Sequence, residues 1–348
     1  MIWLTWRQFR AQAITAAAVL VVFAVLLAVT GPHLASLYAA SGIAGCHGSS
    51  CGQLASSFVG RLQAAGPYPA LDVLSIAVII LTPAMIGVFW GAPLIARELE
   101  TGTFRLAWTQ SVSRARWLAV KLGLVGLAAM ALTEGLSLMQ AWWAAPLGRA
   151  VGYGAGGSLL AAGRFAPAVF ASHGITPLGY AAFAFVLGAA TGVLIRHAIP
   201  AMAVTMAIFA VVQIAVPLWI RPHLIPADHV VAPLSLVQTS LVGVTSPDNL
   251  SFSADGLLSE PGAWILSSGP VTSAGQPVIT PPAACGVGRG VNLDLLAGCL
   301  ARQGVRESIS YQPVSRFWAL QWVETAIYLI LALALAWYCF WRVDRRLA

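Results

Sequence analysis

ARELETGTFRLAWTQSVSRARWLAVK, residues 96–121, gathers Arg97, Glu98, Glu100, Arg105, Arg114, Arg116 and Lys121 between two long apolar runs, in a chain that is only 9% charged. The runs on either side, about 73–95 and 117–140, each reach the roughly 20 apolar residues that a helix rising 1.5 Å per residue needs to cross a bilayer. The charged stretch therefore reads as a short loop between two membrane spans, and this reading decides the fold. Hydrophobic residues make up 59% of the 348. A soluble domain of that length has no core able to hide such a fraction, since ordinary usage is about 45–50% apolar and about 25% charged.

Outward from this loop the same test finds four further spans, near 13–30, 177–195, 199–220 and 318–341. The expected fold is an all-α polytopic membrane protein with six transmembrane helices. Basic residues mark the cytoplasmic flanks of spans. Eleven of the 19 lie in short segments: Arg7 and Arg10, five in the opening stretch, Arg196, and Arg342, Arg345 and Arg346. The other eight are spread over three long connections, about 31–72, 141–176 and 221–317. Both termini are basic and the span count is even, so both ends are expected in the cytoplasm. The net charge of +7 follows from these flanks. No basic patch interleaved with aromatics lies outside them, so no nucleic-acid partner is expected.

The first apolar run, behind Arg7 and Arg10, has the look of a secretory signal; five later spans favour an uncleaved anchor. Ahead of it, Ile2, Trp3, Trp6, Phe9 and Ala13 recur at helical spacing. Residues 1–12 then form either an interfacial helix at headgroup depth or an inward extension of the first span. Spans 1–5 and the charged segment 96–117 occupy 13–220, an extracytoplasmic segment 221–317, and the sixth span with a tail 318–348. The outer segment, rich in Pro, Gly, Ser, Thr and Val, reads as a loop-rich cap with turns at Ser246-Pro247-Asp248-Asn249 and Ser267-Ser268-Gly269-Pro270. One helix-like stretch, 292–303, has Leu293, Leu296 and Leu300 on one face. In 141–176, Trp142 and Trp143 suggest an aromatic belt. LLAAGRFAPAVF (159–170) is expected to be surface-lying or re-entrant.

Four of the five cysteines, Cys46, Cys51, Cys285 and Cys299, fall in connections assigned outside, where disulfides persist. Three connectivities are open; close spacing favours Cys46 with Cys51 and Cys285 with Cys299. Chemistry is sparse. Lys121 is the only lysine, so no Gly-rich phosphate loop ending in Gly-Lys-Ser/Thr is present, and the scattered histidines lack a metal-binding spacing. No Gly-x-Ser-x-Gly occurs; Ser158 after Gly156-Gly157 lacks a partnered intramembrane histidine. Glu134, about 17 residues into the third span, and Glu324, about seven into the sixth, fall at similar depth in the outer third of the bilayer. Such acids face a bundle interior or wet cavity, as a cargo path, or form interhelical hydrogen bonds or snorkel to the outer interface. Gly87-x-x-x-Gly91 and Gly188-x-x-x-Gly192 permit close helix approach.

Arg97-Glu98-Leu99-Glu100-Thr101-Gly102-Thr103, then Ser113-Arg114 and Lys121 at the next span, resembles the segment after the second span in permeases of type-2 ATP-binding-cassette (ABC) exporters. IRHAIPAMAVTM (195–206), WIRPHLIP (219–226) and PVSRFWALQWVE (313–324) resemble actinobacterial members in particular. Ser111 departs from the family, where proline is frequent before the Ser-Arg. The resemblance implies a cytoplasmic coupling helix that docks on an ABC ATPase. Glu98, Glu100, Thr101, Gly102, Thr103, Trp108 and Arg114 would carry the coupling. It also implies two ATPase copies, which bind ATP and Mg, and a second permease, as homodimer or similar heterodimer. The chain itself would hold no cofactor and catalyse nothing; it would export a hydrophobic or amphipathic drug, lipid or peptide across a bacterial plasma membrane. The alternatives are a membrane sensor or scaffold acting through its outer segment, and, behind it, an intramembrane enzyme.

Overall fold

The structure, a computed structural model, describes residues 2–47, 51–64, 66–102, 113–155, 162–233, 242–246, 249–252, 262–278, 285 and 293–346. Among these, six helices are long and apolar enough to cross a membrane: Phe9–Ala40, Tyr68–Thr101, Arg114–Trp143, Thr176–Ile195, Ala198–His223 and Val314–Arg345. Each contains one of the six apolar runs. The chain is thus a mostly helical, polytopic membrane protein. The first span belongs to one unbroken helix, Ile2–Ala40, with no interruption between residues 12 and 13. Two compact units are present: Met1–Arg221 together with Trp318–Ala348, and Pro222–Phe317.

In the first unit the fourth span is central, with 78% of its apolar window buried. Its Gly188 and Gly192 lie against the backbone of the second span, which widens there into a π-helical turn, Gly87–Gly91. A Cβ at Gly87 would stand 2.7 Å from the Ala184 carbonyl oxygen and one at Gly192 2.6 Å from that of Ala92; one at Gly188 would overlap the Gly87 oxygen. Hydrocarbon gives two spans no hydrophobic reason to associate, so backbone approach through small residues supplies the contact. The glycine pairs, weak as sequence matches, are the seam of this pair of helices.

Other spans join by isolated polar pairs and rings. Gln140 Nε2 donates to Asp72 Oδ1 at 3.0 Å between the third and second spans. Trp143 Nε1 donates to Thr30 Oγ1 at 2.9 Å between the third and first. The Thr191 and Thr205 hydroxyls meet at 2.6 Å between the fourth and fifth. Such bonds contribute about 0.6 kcal/mol each in a bilayer. On the face away from the termini, Cys46 and Cys51 are bridged, and the helix Cys51–Ala64 buries Ala55, Phe58, Val59 and Leu62. Residues 141–176 include two short helices, Ala145–Gly152 and Pro167–Ser172. Residues 156–161, which hold the start of the apolar stretch 159–170, lie outside the described residues.

The second unit differs from the loop-rich expectation. Strands β1 (Asp228–Pro233), β4 (Trp264–Val271) and β5 (Arg306–Gln312) form an antiparallel sheet in the order β1-β5-β4, and β2 (Val242–Ser246) pairs with β3 (Asn249–Phe252). Ser246 pairs with Asn249, the two ends of the first expected turn, whose Pro247 and Asp248 lie outside the described residues. Ser267-Ser268-Gly269-Pro270, read as a turn, runs instead inside β4, beyond a register shift between Ile265 and Ser267. Proline lacks the N–H of a ladder and is tolerated there because β4 is an edge strand. The helix Leu293–Arg302 forms where helical spacing predicted it. Cys285 is bridged to Cys299, beside the buried Leu300, Val305 and Ile309.

Candidate functional site

The opening stretch begins as the last turns of the second span. Its helix, Ala92–Thr101, ends at Gly102 with a left-handed φ of 72°, a conformation that costs glycine nothing. The third span restarts at Ser113, an N-cap in extended conformation whose side chain accepts from the Arg116 N–H at 3.3 Å. This stop and start follow from two residue types in their preferred positions.

Between them the acids are engaged within the chain. Lys121 Nζ, 3% exposed, donates to Glu98 Oε1 and lies 4.8 Å over the Trp117 ring. The only lysine thus ties the third span to the end of the second. Glu100 reaches the fifth span. Its Oε2 accepts from the Ala198 N–H at 3.2 Å and its Oε1 lies 3.7 Å from His197 Nδ1. His197, at the N-cap position, makes no side-chain cap, so the Glu100 carboxylate caps that helix from another one and meets the positive end of its dipole. Thr101 Oγ1 donates to the Arg97 carbonyl at 2.8 Å. Beneath these contacts Ile95, Trp117, Leu118, Ala189, Val193, Cys339 and Val343 form one buried cluster from the second, third, fourth and sixth spans. Arg114 opens the third span; Thr103 and Trp108 lie outside the described residues. The segment therefore joins, on the face bearing the termini, the ends of every span except the first.

The intramembrane acids are not brought together. Glu134 is half-buried on the third span, and its Oε2 meets no hydrogen-bond partner among the described residues. Glu324 is fully buried, and both its oxygens are taken: Oε2 by Arg221 Nε at 2.7 Å, Oε1 by Arg221 Nη2 at 3.0 Å and by the Tyr180 hydroxyl at 2.5 Å. The Arg221 guanidinium, 1% exposed, stacks 4.0 Å over Phe170. One turn away, Gln321 Oε1 accepts from the Ile175 and Thr176 N–H groups, each at 3.1 Å, and so caps the fourth span. Its Nε2 donates to the Phe170 and His173 carbonyls. Arg221, Tyr180 and Gln321 escaped the sequence reading. Arg221 carried one signal: it abuts the fifth span on the face that the charge rule leaves poor in basic residues.

No curated protein and no solved structure matches the chain. The sequence profile of the family described as ABC-2 membrane transporter related does match, over residues 17–221, more than half of the 348, from within the first span to within the fifth and including the whole segment 96–121. A six-span membrane protein with that match, whose charged loop ties five spans together, belongs to the ABC-2 membrane transporter related family, the membrane transport component that works with an ABC ATPase.

Proposed function

We propose that this chain is the permease subunit of an ATP-driven exporter in a bacterial plasma membrane, with both termini cytoplasmic. Segment 96–117 is then the docking element for the ATPase. The observation that carries this reading is the double tether of one helix end, Glu98 to Lys121 and Glu100 to the Ala198 N–H. A displacement applied at 102–113 acts directly on the second span and, through these two contacts, on the third and fifth. The acids thereby gain a role that the sequence did not specify: they transmit force inside the permease instead of touching the ATPase. ATP and Mg are bound by the partner, in two copies, and a second permease completes the path. Glu134, with one oxygen unpartnered, is the polar group for a cationic or amphipathic cargo, whereas Glu324 is closed off by Arg221. The two disulfides support placing their connections outside, since the sidedness was drawn from basic residues alone.

The test is ATP hydrolysis by the complete complex in lipid nanodiscs. Glu100→Gln keeps the shape but removes the charge that meets the fifth span, and should lower ATPase activity several-fold while the subunits still co-purify. Activity equal to wild type in Glu100→Gln and in Glu100→Ala would remove the tether from the mechanism.

A further inference from the structure

The far end of the fifth span joins a soft backbone to a tight polar grip. Its last turn, Val216–Ile220, is π-helical, with Pro217 inside it, and Pro222 follows Arg221. Single π turns are rare and recur at functional sites; unlike Gly87–Gly91, which is clamped against the fourth span, this one leaves Leu218 and Ile220 exposed. Against this stands the Arg221–Glu324 pair, fully enclosed by Tyr180 and Phe170. A buried ion pair is a poor device for stability alone, because desolvation offsets most of the attraction and an apolar pair of similar volume does as well. This one is also incompletely satisfied, since among the described residues Arg221 Nη1 finds no acceptor. A contact that fixes geometry while contributing little net energy is one that can be made and released.

We propose that Arg221 and Glu324 are positioning residues, a releasable latch that holds the far ends of the fifth and sixth spans against the fourth, with the π turn as its hinge. The fourth span is the fixed post, being locked to the second through Gly188 and Gly192. Release of the latch is the far-face opening of the transport cycle, and in that clause the inference rests on the permease reading above.

The experiment uses the full chain in nanodiscs, with Cys339→Ala and nitroxides at Leu218→Cys and Val323→Cys, and reads their distance by pulsed electron resonance. Wild type should give one narrow distance. Arg221→Met/Glu324→Leu removes both charges together, so the fold is retained, and its distribution should broaden toward longer distances. Glu324→Gln, which leaves the buried Arg221 guanidinium without its counter-ion, should broaden it at least as much, and Arg221→Lys should keep most of the narrow component. A double variant as narrow as wild type overturns the latch and leaves a packing role. If the double variant does not fold, an unchanged distance in Glu324→Gln overturns it equally. Adding the ATPase with Mg-ATP to the wild type should populate the longer distance; turnover without any change of distance makes the contact static and also overturns it. If no ATPase assembles but the double variant still broadens, the latch stands and the exporter reading falls.

Discussion

At the scale of single residues, the structure places charges where solvation alone would not. Glu307 sits on the middle strand of the sheet with no exposed surface. Burial pushes its carboxyl up to about 7, against a smaller downward pull from the Ser268 hydroxyl. In the unfolded chain it titrates near 4.3. The folded form therefore holds the proton between about 4.5 and 7, and stability is lost as pH rises through that window, then levels off. Hydrogen exchange of 306–312, corrected for its intrinsic pH dependence, should speed up from pH 5 to pH 7.5. Glu307→Gln should remove that change and slow exchange at pH 7.5; an identical profile in both proteins would place the carboxyl in water. Lys121 makes the opposite case. Glu98→Gln leaves a buried ammonium without its counter-ion, a loss of about 3–5 kcal/mol, whereas Glu98→Leu with Lys121→Met should recover most of it. Thermal stability of the purified chain reads the difference.

At the scale of elements, close helix approach and covalent staples decide which pieces hold. Gly188→Leu must displace backbone of the second span, so it should cost at least the roughly 1–3 kcal/mol of ordinary overpacking and lower the folded yield. Gly123→Ala in the third span meets nothing within 4 Å and should leave the yield unchanged. Equal yields from both would mean that the glycine seam is not what joins the second and fourth spans. Opening the 15-residue loop closed by Cys285 and Cys299 should cost about 3 kcal/mol, seen as faster proteolysis of 222–317 after Cys285→Ser/Cys299→Ser. These elements were unequally legible. Each span announced itself because a bilayer demands about 20 apolar residues in a row, whereas the helix start at Ser113, ordinary capping chemistry, went unread. The sheet did not. Its strands are short, and β4 carries Ser, Gly and Pro, the residues of turns, which it tolerates because it is an edge strand that pairs with β5 on one side only. Which residues lie in the polar clusters was hidden for another reason. The polar contacts of Gln321, Glu324, Arg221 and Tyr180 join positions up to 151 residues apart, and nothing local in the sequence marks such a pairing.

At the scale of the molecule, the chain combines a rigid post, two tethers on the face bearing the termini and one grip on the other face. The second and fourth spans form the post. Glu98 and Glu100 tether the third and fifth spans to it, and Glu324 grips the fifth just past its π-helical turn. This arrangement is what a permease needs if movement delivered at one face is to be expressed at the other. The central claim is that the movement is delivered at 96–121. The most direct test places a photo-crosslinking phenylalanine analogue at Trp108 in cells that produce the complete complex, with the same analogue at Tyr311 of the second unit as reference. The account predicts a light-dependent adduct between the permease and the ABC ATPase from position 108 and none from position 311. Absence of the ATPase adduct from position 108, in cells where the two subunits co-purify, would contradict it.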